Sequence, residues 1–299
     1  MTACAFLTGS AAVPLTLRGD CIEYDGYLRL HGGLNLPAAN EVKIAGSYAY
    51  VIADKTLHVV DITNPVAPQD VGQVVLAPTS PWINAMAVQS PYVFVTAPDR
   101  FGSLWIVDVS NPHAPRIVGA FFAGFPVGEV VTSGAYVYVT TLTGIGIVDA
   151  SNLSAPTLVN TVNIPRGAGA LAVAGNHVYV VGQLGLTIVD VSTPLNASII
   201  GEVDLPGAIN GSITLAGEYA YVGDSLSPSG TGDDLQIVDI SDPSAPTVVH
   251  VIPQKSVEAV VVGNQLYRIS PVGLLAFDVT DPTSPTITGS LPAAGGYGL

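Results

Sequence analysis

Residues 104–119 read LWIVDVSNPHAPRIVG, and five further windows of sixteen residues align with them without a gap. These are LHVVDITNPVAPQDVG from Leu57, IGIVDASNLSAPTLVN from Ile145, LTIVDVSTPLNASIIG from Leu186, LQIVDISDPSAPTVVH from Leu235 and LLAFDVTDPTSPTITG from Leu274. Their aspartates, Asp61, Asp108, Asp149, Asp190, Asp239 and Asp278, are spaced 47, 41, 41, 49 and 39 residues apart. A period of about 43 residues, with length changes confined to a few places, marks a stacked or radial repeat.

Each unit reads as strands. Ahead of every window lies an apolar run rich in aromatic and β-branched residues, such as SYAYVIA, AYVYVTT and HVYVVG. Before that comes another, such as EVKIAG, ALAVAG or EAVVVG, closed by a turn at glycine. After the Asp comes a proline-containing loop and a fourth short run, as in PRIVGAF. Four short strands per unit, with no helical periodicity, predict a propeller blade; the shorter coils of a β-helix would not hold two hairpins each.

The runs WIVDVSNP, TIVDVSTP and QIVDISDP resemble the LVIVD repeat of bacterial surface or secreted proteins. The resemblance covers at least Glu41 to Leu291. It implies a β-propeller and a setting outside the cell or on its surface, and brings no common reaction with it.

The first forty residues decide the blade number. VPLTLRGDCIEYD, Val13 to Asp25, has the length and pattern of VYVVGQLGLTIVD, Val178 to Asp190. CAFLTGSAAV precedes it and YLRLHGGLNLP follows it, in the places of an inner and an outer strand. The expectation is therefore an all-β, single-domain propeller of seven four-stranded blades, over approximately 3–38, 39–78, 79–126, 127–166, 167–207, 208–252 and 253–292. The alternative is six blades, with Tyr27 to Leu36 supplying a closing strand.

Composition narrows the function classes. Charged residues make up only 11%, against 48% hydrophobic, among 299 residues, which excludes a disordered chain. Nine Lys+Arg against 23 Asp+Glu, a net charge of −14, argues against a nucleic-acid partner, which needs a clustered basic face. The mean hydropathy of +0.49 comes without an apolar run long enough for a membrane helix. The opening MTACAFLTGSAAVPL carries no basic n-region and no adequate apolar core of a signal peptide. Cys4 and Cys21 are too few for a disulfide framework; they read as two buried thiols or one bridge.

The repeated Asp, with Ser or Thr two residues on, reads as a turn former whose carboxylate accepts backbone N–H groups. Six copies around a ring cannot serve one active site. A different column is more selective. Five residues before the turns at Gly46, Ser90, Gly134, Gly175, Gly217 and Gly263 stand Glu41, Ala85, Glu129, Ala170, Ser212 and Glu258. Three glutamates would thus gather at one channel mouth, with Asn40, Asn84 and Asn210 near them. Close carboxylates raise one another's pKa or take a hard cation between them; well separated, they are simply solvated.

The longest insertion, GDSLSPSGTGDD at Gly223 to Asp234, offers Asp224, Asp233 and Asp234 as Ca²⁺ ligands, without the regular alternation of an EF-hand loop. A plain acidic loop is the simpler reading. Ala97 to Ser103, with Asp99 and Arg100, should lie on the same face as the glutamates, and variable loops on a rigid scaffold are where binding concentrates. The histidines occupy different places in their repeats, and neither a nucleophile elbow nor a P-loop is present.

The leading expectation is a non-catalytic binding or scaffold module for a protein or glycan, extracellular or on the cell surface, needing no cofactor beyond Ca²⁺ at the acidic loop. The rival is a metal-assisted hydrolase or lyase acting through Glu41, Glu129 and Glu258. A third reading is a self-assembling structural subunit.

Overall fold

A computed structural model of the chain describes residues 33–36, 38–76, 83, 85–97, 99, 101–205, 211–223, 234–253, 258–270 and 273–292. These residues form six four-stranded sheets, each with its strands paired in chain order. Every pairing is antiparallel, as in the third sheet. The only helical turn among them is a 3₁₀ turn, Pro194–Asn196. The fold is a β-propeller, as the four-strand unit predicts.

The first strands of the blades are Ala39–Ala45, Ala85–Gln89, Val127–Ser133, Ala170–Ala174, Ser212–Ala216 and Glu258–Val262. Successive first strands are neighbours from the first blade to the sixth, so they line the axis. The second and third strands are covered on both faces. In the fourth blade His177–Gly182 and Gly185–Asp190 bury nearly every residue, whereas the third blade's outer strand Thr157–Asn163 is half open.

Five hydrophobic clusters hold the ring, each between one blade and the next. Tyr50, Ile52, Leu57 and Val59 of the first blade meet Met86, Val93, Val95 and Val107 of the second. The same arrangement recurs down to Tyr221, Leu235 and Ile237 of the fifth against Leu266 and Phe277 of the sixth. Leu57, Leu104, Ile145, Leu186 and Leu235, which open five of the aligned windows, are at most 1% exposed. Each such side chain contributes roughly 1.5–3 kcal/mol of burial.

The repeated aspartates are turn formers, as expected. Asp61, Asp108, Asp149, Asp190, Asp239 and Asp278 each accept, through Oδ1, the backbone N–H of the Ser or Thr two residues on. The distances are 2.7–2.9 Å. A second such turn follows at Asn64, Asn111, Asn152, Asp242 and Asp281. Together they satisfy the backbone of the loop that carries the chain from third strand to fourth.

Blade number is corrected. Six sheets stand in the described residues where seven were expected, because the segment read as the first of the seven, residues 3–38, lies almost wholly outside them. Of that segment, residues 33–36 and 38 are described and are not in a strand. Cys4 and Cys21 also lie outside.

Candidate binding face

A propeller has two faces. Here one carries the starts of the first strands and the second-to-third hairpins; the other carries the glycine turns and the aspartate loops. The described candidates of the sequence, Asn40, Glu41, Asp99, Glu129, Asp234 and Glu258, fall on the first of these.

The glutamate column exists as a position. Ala85, Ala170, Ser212 and Glu258 begin their strands, and Glu41 and Glu129 lie third in theirs. Those two differ from the others in backbone as well. Pairing slips by one residue between Ala39 and Glu41, and again opposite Val139 and Thr141, where the Glu129 N–H turns to Thr140 Oγ1 at 2.9 Å. Such bulges re-aim the side chain beside them. The strands that begin with Ala85, Ala170 and Ser212 pair without a slip.

Glu41 is a strongly perturbed acid on this face. Burial pushes its carboxyl up to about 7; Lys43 pulls it down, Glu129 pushes it up, and the Met86 N–H of the next blade pulls it down. Lys43 Nζ lies 3.5 Å from Oε1, while Oε2 is shut off from solvent with no hydrogen-bond partner among the described residues. Glu41 and Glu129 therefore do share a field. Glu258 begins its strand as expected, and its side chain lies outside the described residues. Asn40 is exposed. Asn84, Asn210, Arg100, Asp224 and Asp233 lie outside the described residues.

Two expectations change in character. Asp99 folds its own loop: Oδ1 accepts the N–H groups of Phe101 and Ser103, and Oδ2 the Ser103 hydroxyl at 2.8 Å. The residue the loop presents outward is Phe101, 52% exposed. Asp234 stabilises a buried cation. Arg268 is 1% exposed in the core between the fifth and sixth blades, with its guanidinium 5.9 Å from the centre of the Phe277 ring. Burial lowers the Arg268 pKa and Asp234 opposes that shift. Among the described residues no three His, Cys, Asp or Glu side chains gather as a metal set.

Sequence reasoning missed a groove of about 410 Å³ between the third and fourth blades. Hairpin tips Leu142–Thr143 and Gln183–Leu184 form its walls, and the linker 163–167 its floor. Both tip leucines point outward, Leu142 at 77% and Leu184 at 60% exposed. Arg166 fixes the floor. It donates to the Leu184 carbonyl at 2.9 Å and to Asp204, and its Nε lies 3.2 Å from Glu202. These partners raise its pKa above the ordinary value. Thr96 is a second device the sequence did not reveal. Fully buried, it donates to the Gly128 carbonyl at 2.5 Å, tying the second blade to the third at the mouth.

The LVIVD repeat model matches residues 38–75, 85–122, 126–164, 165–204 and 209–252. No curated protein matches the chain. Among solved structures, the β-propeller domain of Cps50 (Swd1) from Myceliophteria thermophila superposes with a TM-score of 0.70 at 11% identity, over 88% of each chain. A functionally unknown protein from Desulfotomaculum acetoxidans gives 0.66 at 15%, over 83% of this chain and 80% of its own. The periplasmic gluconolactonase PpgL of Pseudomonas aeruginosa gives 0.65 at 14%, over 82% and 81%. At such identities the likeness is one of fold. No helix among the described residues is long and apolar enough to cross a membrane.

Proposed function

The chain belongs to the LVIVD-repeat family, and on that premise we propose that it is a non-catalytic binding module that docks a protein partner, outside the cell, on its hairpin face. The observation that carries this reading is the groove between Leu142 and Leu184, with Arg166 and its two carboxylates at the floor. Apolar side chains held out of water's reach only by a partner, around a fixed charged group, are the composition of a protein interface core and its rim. Phe101 extends the apolar surface onto the second blade. The aliphatic tips favour a protein over a glycan, which is bound mainly by polar networks and flat aromatic rings.

The test is a pair of double variants probed against cell-surface and secreted proteins of the producing cells and against a glycan array. L142D/L184D should abolish retention of one defined partner, while V66D/L195D, placed on exposed residues of the opposite face, should keep it. Equal retention by both, or saturable binding to a glycan alone, contradicts the proposal.

A second reading follows from the field shared by Glu41 and Glu129, which would favour a cation at the channel mouth. It would also serve the hydrolase or lyase alternative. Calcium or zinc titrated into the protein should displace the Glu41 proton if this reading holds, and the Glu129→Gln variant should lose the effect. An unchanged Glu41 titration removes both the cation site and the enzyme built on it.

A further inference from the structure

The groove between the third and fourth blades carries a sign as well as a shape. Arg166 at its floor is tucked in, with 22% of its side chain exposed, whereas Asp204 leaves 81% and Glu202 38% in water. One guanidinium against two carboxylates leaves the cluster negative, and the acids are the part an incoming molecule meets first. The repeat does not require them. At the place of Asp204 the other five copies have Val75, Phe122, Asn163, Pro253 and Pro292. At the place of Glu202 they have Gln73, Ala120, Thr161, Val251 and Ser290. The turn-forming aspartates recur in every blade; these two acids occur in one.

The acid and the apolar wall are held at a fixed separation. Arg166 Nη1 donates both to the Leu184 carbonyl, at 2.9 Å, and to Asp204. Two acceptors on one nitrogen lie within about 6 Å of each other. In an extended peptide the side chains of residues i and i+2 point the same way and repeat every ~6.6 Å. Leu142 closes the opposite wall, and its side chain is as open to solvent as that of Leu184. Asn163 and Gln183, both exposed, line the groove as well. A primary amide offers the donor and the acceptor that a peptide group needs. The volume of about 410 Å³ falls within the range of binding clefts, about 300–1,000 Å³.

Resting on the reading that this groove docks a protein, we propose that its occupant is an extended peptide segment with a lysine or arginine two residues from a large aliphatic side chain. The aliphatic side chain lies between Leu142 and Leu184, and the cation reaches Asp204 and Glu202 at the rim. The amides of Asn163 and Gln183 hold the peptide backbone, the usual division of labour when an extended segment is bound. A chain of net charge −14 draws such a segment in and repels an acidic one.

A phage-displayed library of random peptides, selected on the full chain, tests this. Enriched sequences should share an aliphatic residue followed two places on by Lys or Arg, or the reverse order. Replacing that cation by Gln in a synthetic copy should weaken its binding to the unaltered chain about tenfold. Asp204→Asn should weaken binding of the original peptide to the same extent, and the two changes together should cost no more than either alone. A damaged fold would not produce that non-additivity. L142D/L184D should abolish binding. Enriched peptides without a cation, a cation whose removal changes nothing, or a library with no enriched sequence each overturn the proposal and leave the groove as a docking site for a folded partner. Peptide binding that survives L142D/L184D overturns the proposal and the docking site together.

Discussion

The α-carbon of Gly119 in the second blade lies against the carbonyl of Leu153 in the third, so close that a Cβ would sit 1.7 Å from that oxygen. No real contact is that short, so the outer strand and the neighbouring loop are locked at a distance only glycine permits. Gly119→Ala should therefore cost about 1–3 kcal/mol, as overpacking does, and Gly72→Ala a similar amount. Denaturant unfolding of the two variants checks this.

The aspartate turns set the acid limit. Hydrogen bonds from Ser110, then the Arg116 guanidinium, hold the Asp108 carboxyl down at about 2. Five sister aspartates are lowered by the same turn. A depressed folded pKa gives stability that is present above the unfolded value near 3.8 and is lost as pH falls through the folded one. The melting temperature should drop steeply between about pH 4 and pH 2. Asp108→Asn should flatten that part of the curve.

Glu41 works in the opposite sense. Its folded pKa of about 7 lies above the ordinary 4.5, so the folded state holds the proton more tightly. Stability should decline as pH rises from about 4.5 to about 7, and the penalty is complete above that. Glu41→Gln should be neutral near pH 4 and stabilising at pH 8, by up to about 3 kcal/mol. Lys43→Met should move the Glu41 titration higher and Glu129→Gln lower, as carboxyl chemical shifts would record.

Arg268 occupies a place held by valine at Val51, Val95, Val139, Val180 and Val222. Removing Asp234 alone should destabilise the fold, because it takes a favourable charge away from a buried cation. The double variant D234A/R268V should recover most of that loss. A double-mutant cycle in urea measures the coupling.

Much of this was legible in the sequence, for a physical reason. The windows, glycine turns and aspartate loops are local, each satisfied within a few residues of itself, so pattern alone predicts them. What the sequence hid is what one blade does to the next. Gly72, Gly119 and Gly201 end their windows visibly, but the carbonyls that demand them come from another repeat. Arg268 was visible only as a break in a valine column. The bulges that re-aim Glu41 and Glu129 leave no trace in spacing, and Asp99 gave no sign that its carboxylate would be spent on its own loop. The seven-blade count failed against the described residues because its evidence lay in 1–32.

The central claim is that the hairpin face recognises a protein. A photoreactive amino acid placed at Leu184, and separately at Leu195 on the opposite face, tests it most directly in the producing cells. The account predicts one dominant protein adduct from position 184 and none from 195. Adducts from 195 alone, or none from either at full surface expression, would contradict it.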